Sequence, residues 1–315
     1  MADKLPFAWI DAHDVERQLT YGRLFGAIER AFADSPGVAP RVSLPYQGRS
    51  PQSAGTLLLM AAIQPDALAG VKIITYNVHR SGGAIKYIYV ALDPASGALL
   101  ALIDGESLST RRTAAVSVVA AMHMAKREPG HILIVGTGPV ARELIWAYAA
   151  AYPQAQIHLW GRNSDAAGAV AEEASSRGMP VKLSPRLDEA VRVAGIVSCA
   201  TSAAAPLIKG ALLRSDAHVD LIGGFTPLMR EADDDVTRRA GLVVADNTSA
   251  ITEAGDLCQP IAAGILRGDA VVPLESLLRA PAHFRAEGPR LSVFKSVGNA
   301  VFDLAAAKVL IDARA

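Results

Sequence analysis

The stretch His131–Arg142, HILIVGTGPVAR, constrains the fold of this chain more than any other part of the sequence. Its run of apolar residues predicts a buried parallel strand, and the apolar residues that follow predict a helix. Gly136, Gly138 and Ala141 have the G-x-G-x-x-A spacing, which allows a tight turn, a close approach of backbone to a pyrophosphate, and close packing of helix on strand. A purely structural turn is the alternative to a dinucleotide site. The predicted cofactor-binding residues of this loop are Gly136, Thr137, Gly138, Pro139 and Val140.

Composition excludes several classes of protein. The 315 residues include 31 basic and 31 acidic side chains, so the net charge gives no reason to expect a nucleic-acid partner. The two cysteines, Cys199 and Cys258, are too few for a disulfide framework and fit a reducing compartment. The N-terminus has no apolar core of signal-peptide length, and no apolar stretch is long enough to span a bilayer. We expect a cytoplasmic protein of about two domains that binds neither nucleic acid nor membrane.

The first third of the chain predicts a mixed α+β domain. Asp14–Asp34 has apolar residues at helical spacing and predicts one amphipathic helix. Short β-like runs follow, including a hairpin of Tyr87–Asp93 and Ala98–Asp104 around the turn PASG. An apolar helix over Asp104–Arg127, capped by Ser107 or Ser109, then leads to the glycine loop.

From His131 onward the pattern alternates between strands and helices, which predicts a doubly wound parallel sheet. The predicted strands are residues 131–135, 156–160, 180–183, 195–199, 218–222 and 242–246. The chain after Asn247 is less regular and ends in a strand-like LSVF and a helix, Val297–Ala313. This last helix is expected to pack on the first domain.

The residues after the second strand of this sheet bear on the choice of nicotinamide cofactor. An NAD site usually has an acidic residue here, which binds the ribose 2′-hydroxyl. The sequence has Gly161-Arg162-Asn163 instead, and a guanidinium pairs well with a 2′-phosphate while an amide adds a neutral donor. We therefore predict NADPH, with NADH as the second candidate. The alternative is a solvated Arg162, with Asp165 as the NAD acid.

Three cations in the first domain are candidate ligands of a carboxylate. Lys72 lies in the apolar run GVKIITY, where a lysine is costly unless it is paired or faces a cleft. Arg112 starts the apolar helix, and Arg41 lies between a proline and a predicted strand. Taken singly, each is more often a surface charge or a structural ion pair, but together they suit a small carboxylate.

The histidines have no metal-ligand spacing, so no metal is expected, and His79 is interpreted as a solvated loop residue.

Asp104-Gly105 followed by Leu108–Ala115 resembles the D-G-x-x-L-T-x-x-R-T-A-A signature of the ornithine cyclodeaminase/mu-crystallin family. The stretches Gly70-Val71-Lys72, the glycine loop, and Val293–Gly298 ahead of Asp303 agree with it. The likeness runs from about Arg41 to the C-terminus. It implies a Rossmann domain, residues 113–296, inserted into an α+β domain, residues 1–112 plus 297–315, which binds substrate and forms a homodimer.

The resemblance also assigns roles to particular residues. It implies that Arg41, Lys72 and Arg112 hold a substrate carboxylate beside the nicotinamide, with Lys72 and Arg112 as the catalytic candidates, and that Met60 lines the pocket. Cofactor-binding candidates beyond the glycine loop are Thr113, Gly161, Arg162, Asn163, Thr201 and Lys295.

One departure from the family pattern bears on the reaction. Ornithine cyclodeaminases of the family carry an aspartate after a Gly-Gly or Gly-Ala pair, and this sequence has Phe225 and Thr226 after Gly223-Gly224. A phenyl ring accepts no proton and pairs with no ammonium, but it suits a small apolar ring. The variant resembles the Δ1-pyrroline-2-carboxylate reductases of the family, so Phe225 and Thr226 are candidate substrate residues. Core filling is the alternative for Phe225.

The predicted function is NAD(P)H-dependent reduction of a cyclic imino acid. The expected substrate is Δ1-pyrroline-2-carboxylate, giving L-proline in hydroxyproline and proline catabolism, with Δ1-piperideine-2-carboxylate, giving L-pipecolate, as a further one. The alternatives are an ornithine cyclodeaminase, a dehydrogenase of L-alanine or N-methyl amino acids, and a non-catalytic NADPH-dependent ligand carrier.

Overall fold

A computed structural model describes residues 7–49, 53–77, 84–284 and 290–314 of the chain, so His79 lies outside the described residues. The chain divides into two compact units, residues 1–112 with 299–315 and residues 113–298. The roles predicted for these two parts, substrate binding with dimerisation and dinucleotide binding, stay predictions.

The first unit is built on an antiparallel sheet with one parallel edge strand. Its elements up to the unit boundary are β1 (Ala8–Ile10), α1 (Ala12–Gln18), α2 (Tyr21–Glu29), β2 (Gly37–Val38), β3 (Val42–Tyr46), β4 (Gly55–Gln64), β5 (Leu68–Asn77), β6 (Ala84–Leu92), β7 (Leu99–Asp104) and the first residues of α3 (Gly105–Met124). The strand order is β1-β7-β6-β5-β4-β2, β3 also pairs with β4, and β1 runs parallel to β7. The predicted hairpin, now β6 and β7, is confirmed.

The second unit contains a parallel sheet whose strands alternate with helices. Its elements are the rest of α3, β8 (His131–Val135), α4 (Pro139–Ala151), β9 (Gln156–Trp160), α5 (Ser164–Ser176), β10 (Lys182–Leu183), α6 (Leu187–Val193), β11 (Ile196–Cys199), β12 (His218–Leu221), α7 (Asp234–Arg239), β13 (Leu242–Ala245), α8 (Ala250–Glu253), α9 (Gly255–Ala262), β14 (Val271–Pro273), α10 (Leu274–Arg279) and β15 (Ser292–Lys295). The strand order is β10-β9-β8-β11-β12-β15-β13-β14.

This order confirms the predicted fold class. From β8 the chain first builds outward through β9 and β10, and then returns to the other side of β8 and continues through β11 and β12. That reversal defines a doubly wound sheet. The central strands β11, β12, β13 and β15 are buried along their whole length, as expected for parallel strands that are covered on both faces.

The chain ends in α11 (Ala300–Asp312), which packs in the first unit against α2, β4 and β5, as predicted. The rings of Phe32 and Phe302 meet edge to face with their centroids 5.6 Å apart. On β5 the side chains alternate, so that Leu68, Lys72 and Ile74 are buried on one face of the sheet while the residues between them are more exposed.

The opposite face of this sheet is apolar and open. The strand register places Trp9, Val42, Leu44 and Ile63 there, and these side chains are between 42% and 51% exposed. Single exposed apolar side chains are normal, but a row of them across one sheet face is typical of a protein interface.

Three secondary-structure predictions were wrong. The single helix predicted over Asp14–Asp34 is broken at Leu19, whose φ of −89° and ψ of 64° are not helical. The freed Leu19 carbonyl accepts hydrogen bonds from the Arg111 guanidinium at 3.2 and 3.3 Å, so a distant arginine stabilises the break. The cap of α3 is Asp104, whose Oδ1 accepts the Ser107 N–H at 2.9 Å, and not Ser107 or Ser109.

The third wrong prediction concerns the chain after Asn247. It is more regular than predicted, since it forms α8, α9, β14 and α10. Its short helices give little periodicity for a sequence pattern to show.

Within the described ranges no helix is long and apolar enough to cross a membrane.

Candidate functional site

The glycine loop between β8 and α4 has the geometry that a dinucleotide site needs. Gly136 has a φ of +128°, and a Cβ there would lie 2.4 Å from the carbonyl oxygen of Ala200, so no other residue fits. Gly138 is the N-cap of α4 with extended backbone, and a Cβ there would meet nothing within 4 Å. Open space beside a helix N-terminus fits a pyrophosphate. Ala141 is fully buried, as close packing of α4 on the sheet requires.

The loop lies where doubly wound sheets bind their ligands. The strands β8 and β11 are neighbours, and the strands that follow them, β9 and β12, lie toward opposite edges of the sheet. Ligands of such sheets bind outside the carboxyl ends of the strands at this reversal. Thr201 follows β11 at the same end, and the predicted loop residues Thr137, Pro139 and Val140 follow β8. Thr113, another predicted cofactor residue, is a half-buried residue of α3.

The loop after β9 contains the residues predicted to select the cofactor. Gly161 allows this loop to contact the glycine loop, because a Cβ there would lie 2.5 Å from Thr137 Cγ2. Asn163 caps α5, since its Oδ1 accepts the N–H groups of Asp165 and Ala166 at 2.9 and 3.1 Å. Only the amide nitrogen of Asn163 is then left for a ligand. Arg162 and Asp165 are both exposed, so the structure leaves the two alternatives for this loop open.

A buried carboxylate that was not predicted from the sequence, Glu231, connects the loops after β11 and β12. Its Oε1 accepts the N–H and the hydroxyl of Thr201, both at 2.8 Å, and its Oε2 accepts the N–H of Gly223 at 2.8 Å. Burial raises the pKa of Glu231 to about 7, although the ammonium of Lys295 opposes this shift. One carboxylate therefore fixes the positions of both loops.

Lys295, predicted to bind the cofactor, is fully buried and ion-paired. Its Nζ lies 2.8 Å from Asp256 Oδ2, and Asp256 Oδ1 accepts the N–H of Glu231 at 2.7 Å. The structure thus places Lys295 in the same buried network as Glu231, and direct binding of a cofactor by its ammonium stays a prediction. Asp256 had no sequence signal, because its partner is 39 residues away.

The turn after β12 presents Phe225 to solvent. Gly223 packs against Thr201 so closely that a Cβ would lie 1.8 Å from the Thr201 carbonyl oxygen. The Thr226 carbonyl accepts the N–H groups of Met229 and Gly255, both at 3.1 Å, which fixes the far side of the turn. Phe225 is 42% exposed, so it is not the core residue that the alternative interpretation required. Its role in substrate binding stays a prediction.

The first unit brings Lys72 and Arg112 together around a second carboxylate that was not predicted as their partner, Asp303 of α11. Lys72 Nζ lies 3.0 and 2.8 Å from the two carboxylate oxygens, and Arg112 Nε donates to Oδ1 at 2.7 Å. All three side chains are at most 4% exposed. The signal that could have identified it is an aspartate within the apolar first half of α11, where an unpaired carboxylate would be costly.

These cations form an electrostatic cluster that suits an anion. Burial lowers the pKa of Lys72 to about 8, the charges of Arg112 and Arg41 lower it as well, and Asp303 opposes them. Arg41 is therefore close enough for its charge to act on Lys72. Met60 is buried opposite Lys72 in the β4–β5 register. Arg112 Nη1 is buried and has no hydrogen-bond partner among the described residues, so it is free to donate to a bound carboxylate.

Comparisons with known proteins agree with the sequence signature. The Δ1-pyrroline-2-carboxylate reductase of Paracoccus denitrificans is 34% identical over 255 residues, which cover 79% of this chain and 81% of that protein. The ketimine reductase mu-crystallin of Mus musculus is 29% identical over 317 residues, covering 97% and 96%. A solved structure of the Thermococcus litoralis Δ1-pyrroline-2-carboxylate reductase, in complex with NADH and L-proline, superposes with a TM-score of 0.86 at 25% identity and covers 96% of each chain.

The family assignment rests on nearly the whole chain. Residues 8–315 match the model of one family, and both units described above lie almost entirely within this range. The chain belongs to the ornithine cyclodeaminase/mu-crystallin family.

Proposed function

We propose that this protein is an NAD(P)H-dependent oxidoreductase that reduces cyclic imino acids. The proposed reaction converts Δ1-pyrroline-2-carboxylate to L-proline, and the six-membered Δ1-piperideine-2-carboxylate to L-pipecolate. The observation that carries the proposal is the buried pair of Lys72 and Arg112, in which Arg112 Nη1 has no partner among the described residues. The relatives named reductases, and the solved structure that holds NADH and L-proline, support the same reaction class.

The reaction requires orientation more than acid–base chemistry. A bound nicotinamide would supply the hydride, and C2 of an imine already protonated on nitrogen would accept it to give the amine. Arg112 donates to the substrate carboxylate through Nη1, while Lys72 and Arg41 add positive charge. Holding the carboxylate sets which face of the planar imine is attacked, and such positioning lowers the barrier by removing rotational freedom.

Phe225 supports a reductase over an ornithine cyclodeaminase. It stands where the resemblance puts a catalytic aspartate, and its exposed ring offers an apolar surface with no proton-accepting atom. A substrate with a free side-chain ammonium would find no carboxylate at this position. A compact ring without a second charge suits it better.

We propose NADPH as the preferred cofactor, with NADH as the second candidate. The support is chemical: Arg162 is exposed in the loop after β9, and Asn163 retains its amide nitrogen for a ligand. A guanidinium stabilises a 2′-phosphate through charge-assisted hydrogen bonds.

We also propose a homodimer formed through the open apolar face of the first unit's sheet. Leu44 on this face is 49% exposed. Light scattering after gel filtration tests this proposal: the wild type is expected to be a dimer, and Leu44→Asp a monomer. A wild-type monomer, or a Leu44→Asp dimer of unchanged stability, would overturn it. The cytoplasmic location stays a prediction.

The proposed reaction is tested by following oxidation of NADPH and of NADH with Δ1-pyrroline-2-carboxylate, and by identifying the product. Rapid oxidation that yields L-proline supports the reductase. With no oxidation by either cofactor the proposal fails. Ammonia release from ornithine would then indicate a cyclodeaminase, and oxidation with pyruvate plus ammonium or methylamine an amino-acid dehydrogenase. Tight binding of the imine without turnover would indicate a ligand carrier.

A further inference from the structure

The cations Lys72 and Arg112 are joined by two bridges. Asp303 is one bridge, since its Oδ1 accepts from Lys72 Nζ at 3.0 Å and from Arg112 Nε at 2.7 Å. Ser109 is the other, since its hydroxyl oxygen lies 3.3 Å from Lys72 Nζ and 3.4 Å from Arg112 Nη2. The four side chains form a closed ring of hydrogen bonds, and each is at most 8% exposed.

The ring determines which donor remains for a ligand. Arg112 has its Nε and Nη2 directed at the bridges, while Nη1 is left over and buried. A guanidinium is a rigid fork, so fixing two of its nitrogens also fixes the direction of the third. The bridges come from different helices, Ser109 from α3 and Asp303 from α11, which holds the fork against rotation.

We propose that Asp303 and Ser109 are positioning residues, which hold Lys72 and Arg112 as one preorganised cationic unit with Arg112 Nη1 directed at the substrate carboxylate. This inference rests on the proposed function. Both bridges act through the cations, since Asp303 Oδ1 and the Ser109 hydroxyl oxygen each accept from Lys72 and from Arg112. The expected benefit is that the cations need not reorganise when the anion binds.

Charge balance separates the two bridges. The charged groups that act on Lys72 are Arg112 from α3, Asp303 from α11 and Arg41 ahead of β3. Tyr89 of β6 is opposite Lys72 in the strand register, and its hydroxyl is neutral because burial raises its pKa well above the usual range. Asp303 is thus the anion that keeps Lys72 protonated, whereas Ser109 contributes geometry without charge.

The test compares Asp303→Asn and Ser109→Ala with the wild type. The matched control is Asp312→Asn, the same substitution on the same helix, where Asp312 forms an exposed ion pair with Lys308. The measurements are the substrate KM across about two pH units on either side of the Lys72 pKa, the KM for NADPH, the melting temperature, and the Kd of pyrrole-2-carboxylate, a planar analogue that cannot be reduced at an imine.

Asp303→Asn is expected to raise the substrate KM about tenfold or more at neutral pH, because one partner of a buried charge pair is lost. Its KM is also expected to begin rising at a pH about one unit lower than in the wild type, because Lys72 loses its proton earlier. Ser109→Ala should raise the KM about threefold to tenfold with no change in the pH midpoint. Asp312→Asn should change neither, and the KM for NADPH should stay constant throughout.

If Asp303→Asn has a lower melting temperature but the wild-type KM and pH midpoint, the inference is overturned, because Asp303 would then have a purely structural role. If Asp303→Asn fails to fold, Ser109→Ala decides, and a wild-type KM in that variant overturns the inference. If the wild type does not reduce the imine, the proposed function is refuted. The Kd of pyrrole-2-carboxylate in the same variants then tests the cationic unit by itself. If the wild type does not bind pyrrole-2-carboxylate either, the inference about the cationic unit is refuted as well.

Discussion

Gly136 and Gly138 offer a direct test of where the cofactor binds, because the same substitution should act on different properties at the two positions. The backbone of Gly138 has a φ of −77° and a ψ of 178°, which alanine adopts without strain. A Cβ there would meet no protein atom within 4 Å. The space that Gly138→Ala would fill is the space that a pyrophosphate needs.

The expected magnitudes follow from this geometry. Gly138→Ala should increase the free energy of unfolding by about 0.4–1 kcal/mol, because alanine makes the unfolded chain less flexible. Part of this increase is lost because glycine is a better N-cap than alanine. The free energy of unfolding should therefore change by less than about 1 kcal/mol. A methyl group forced against the pyrophosphate should cost about 1–3 kcal/mol of binding free energy, which weakens the Kd of NADPH about 5-fold to 150-fold.

Gly136→Ala is the matched control. Its φ of +128° is unfavourable for alanine, and its Cβ would lie 2.4 Å from a backbone oxygen that cannot move aside easily. Backbone strain alone costs about 1–3 kcal/mol, and the overlap adds to it, so this variant should lose several kcal/mol of stability.

Urea unfolding gives the stability of each variant, and titration of NADPH fluorescence gives its Kd. We expect Gly138→Ala to be stable and to bind NADPH poorly, whereas Gly136→Ala should be unstable. A stable Gly138→Ala with the wild-type Kd would refute this expectation, since the dinucleotide would then not approach the loop at this point.

Three further predictions concern individual side chains. Arg112→Ala should raise the substrate KM by at least about tenfold, since a buried charge partner is lost, and steady-state kinetics with wild-type values would remove Arg112 from the site. Arg162→Ala should raise the KM for NADPH about tenfold and leave that for NADH unchanged; equal changes for both cofactors would contradict a 2′-phosphate contact. Since the pKa of Glu231 is raised from 4.5 to about 7, the folded protein retains a proton that the unfolded chain releases, and stability falls as the pH rises through this window. Glu231→Gln should abolish this component, which amounts to about 3 kcal/mol between pH 4.5 and pH 7. The measurement is the unfolding free energy of the wild type and of Glu231→Gln across this pH range. A difference between the two that does not change with pH would exclude the component.

Local patterns in the sequence were sufficient for the parallel sheet and for the glycine loop. Strand β8, the turn with Gly136 and Gly138, and helix α4 lie within 21 consecutive residues, so periodicity and turn chemistry specify them without any distant contact. The same holds for the β6–β7 hairpin, whose two strands are joined by a short turn. Lys72 was a candidate for the same reason, because a lysine inside an apolar strand requires a partner.

The identity of such partners was decided by the tertiary structure. Lys72 and Asp303 are 231 residues apart in sequence, and Glu231 reaches Thr201 across 30 residues, so no local pattern relates them. The break at Leu19 likewise depends on Arg111, 92 residues away. Hydrophobic periodicity specifies which face of an element is buried. Only the packed chain specifies which charge lies opposite which, because the desolvation of a buried ion is offset by whatever group the fold places beside it.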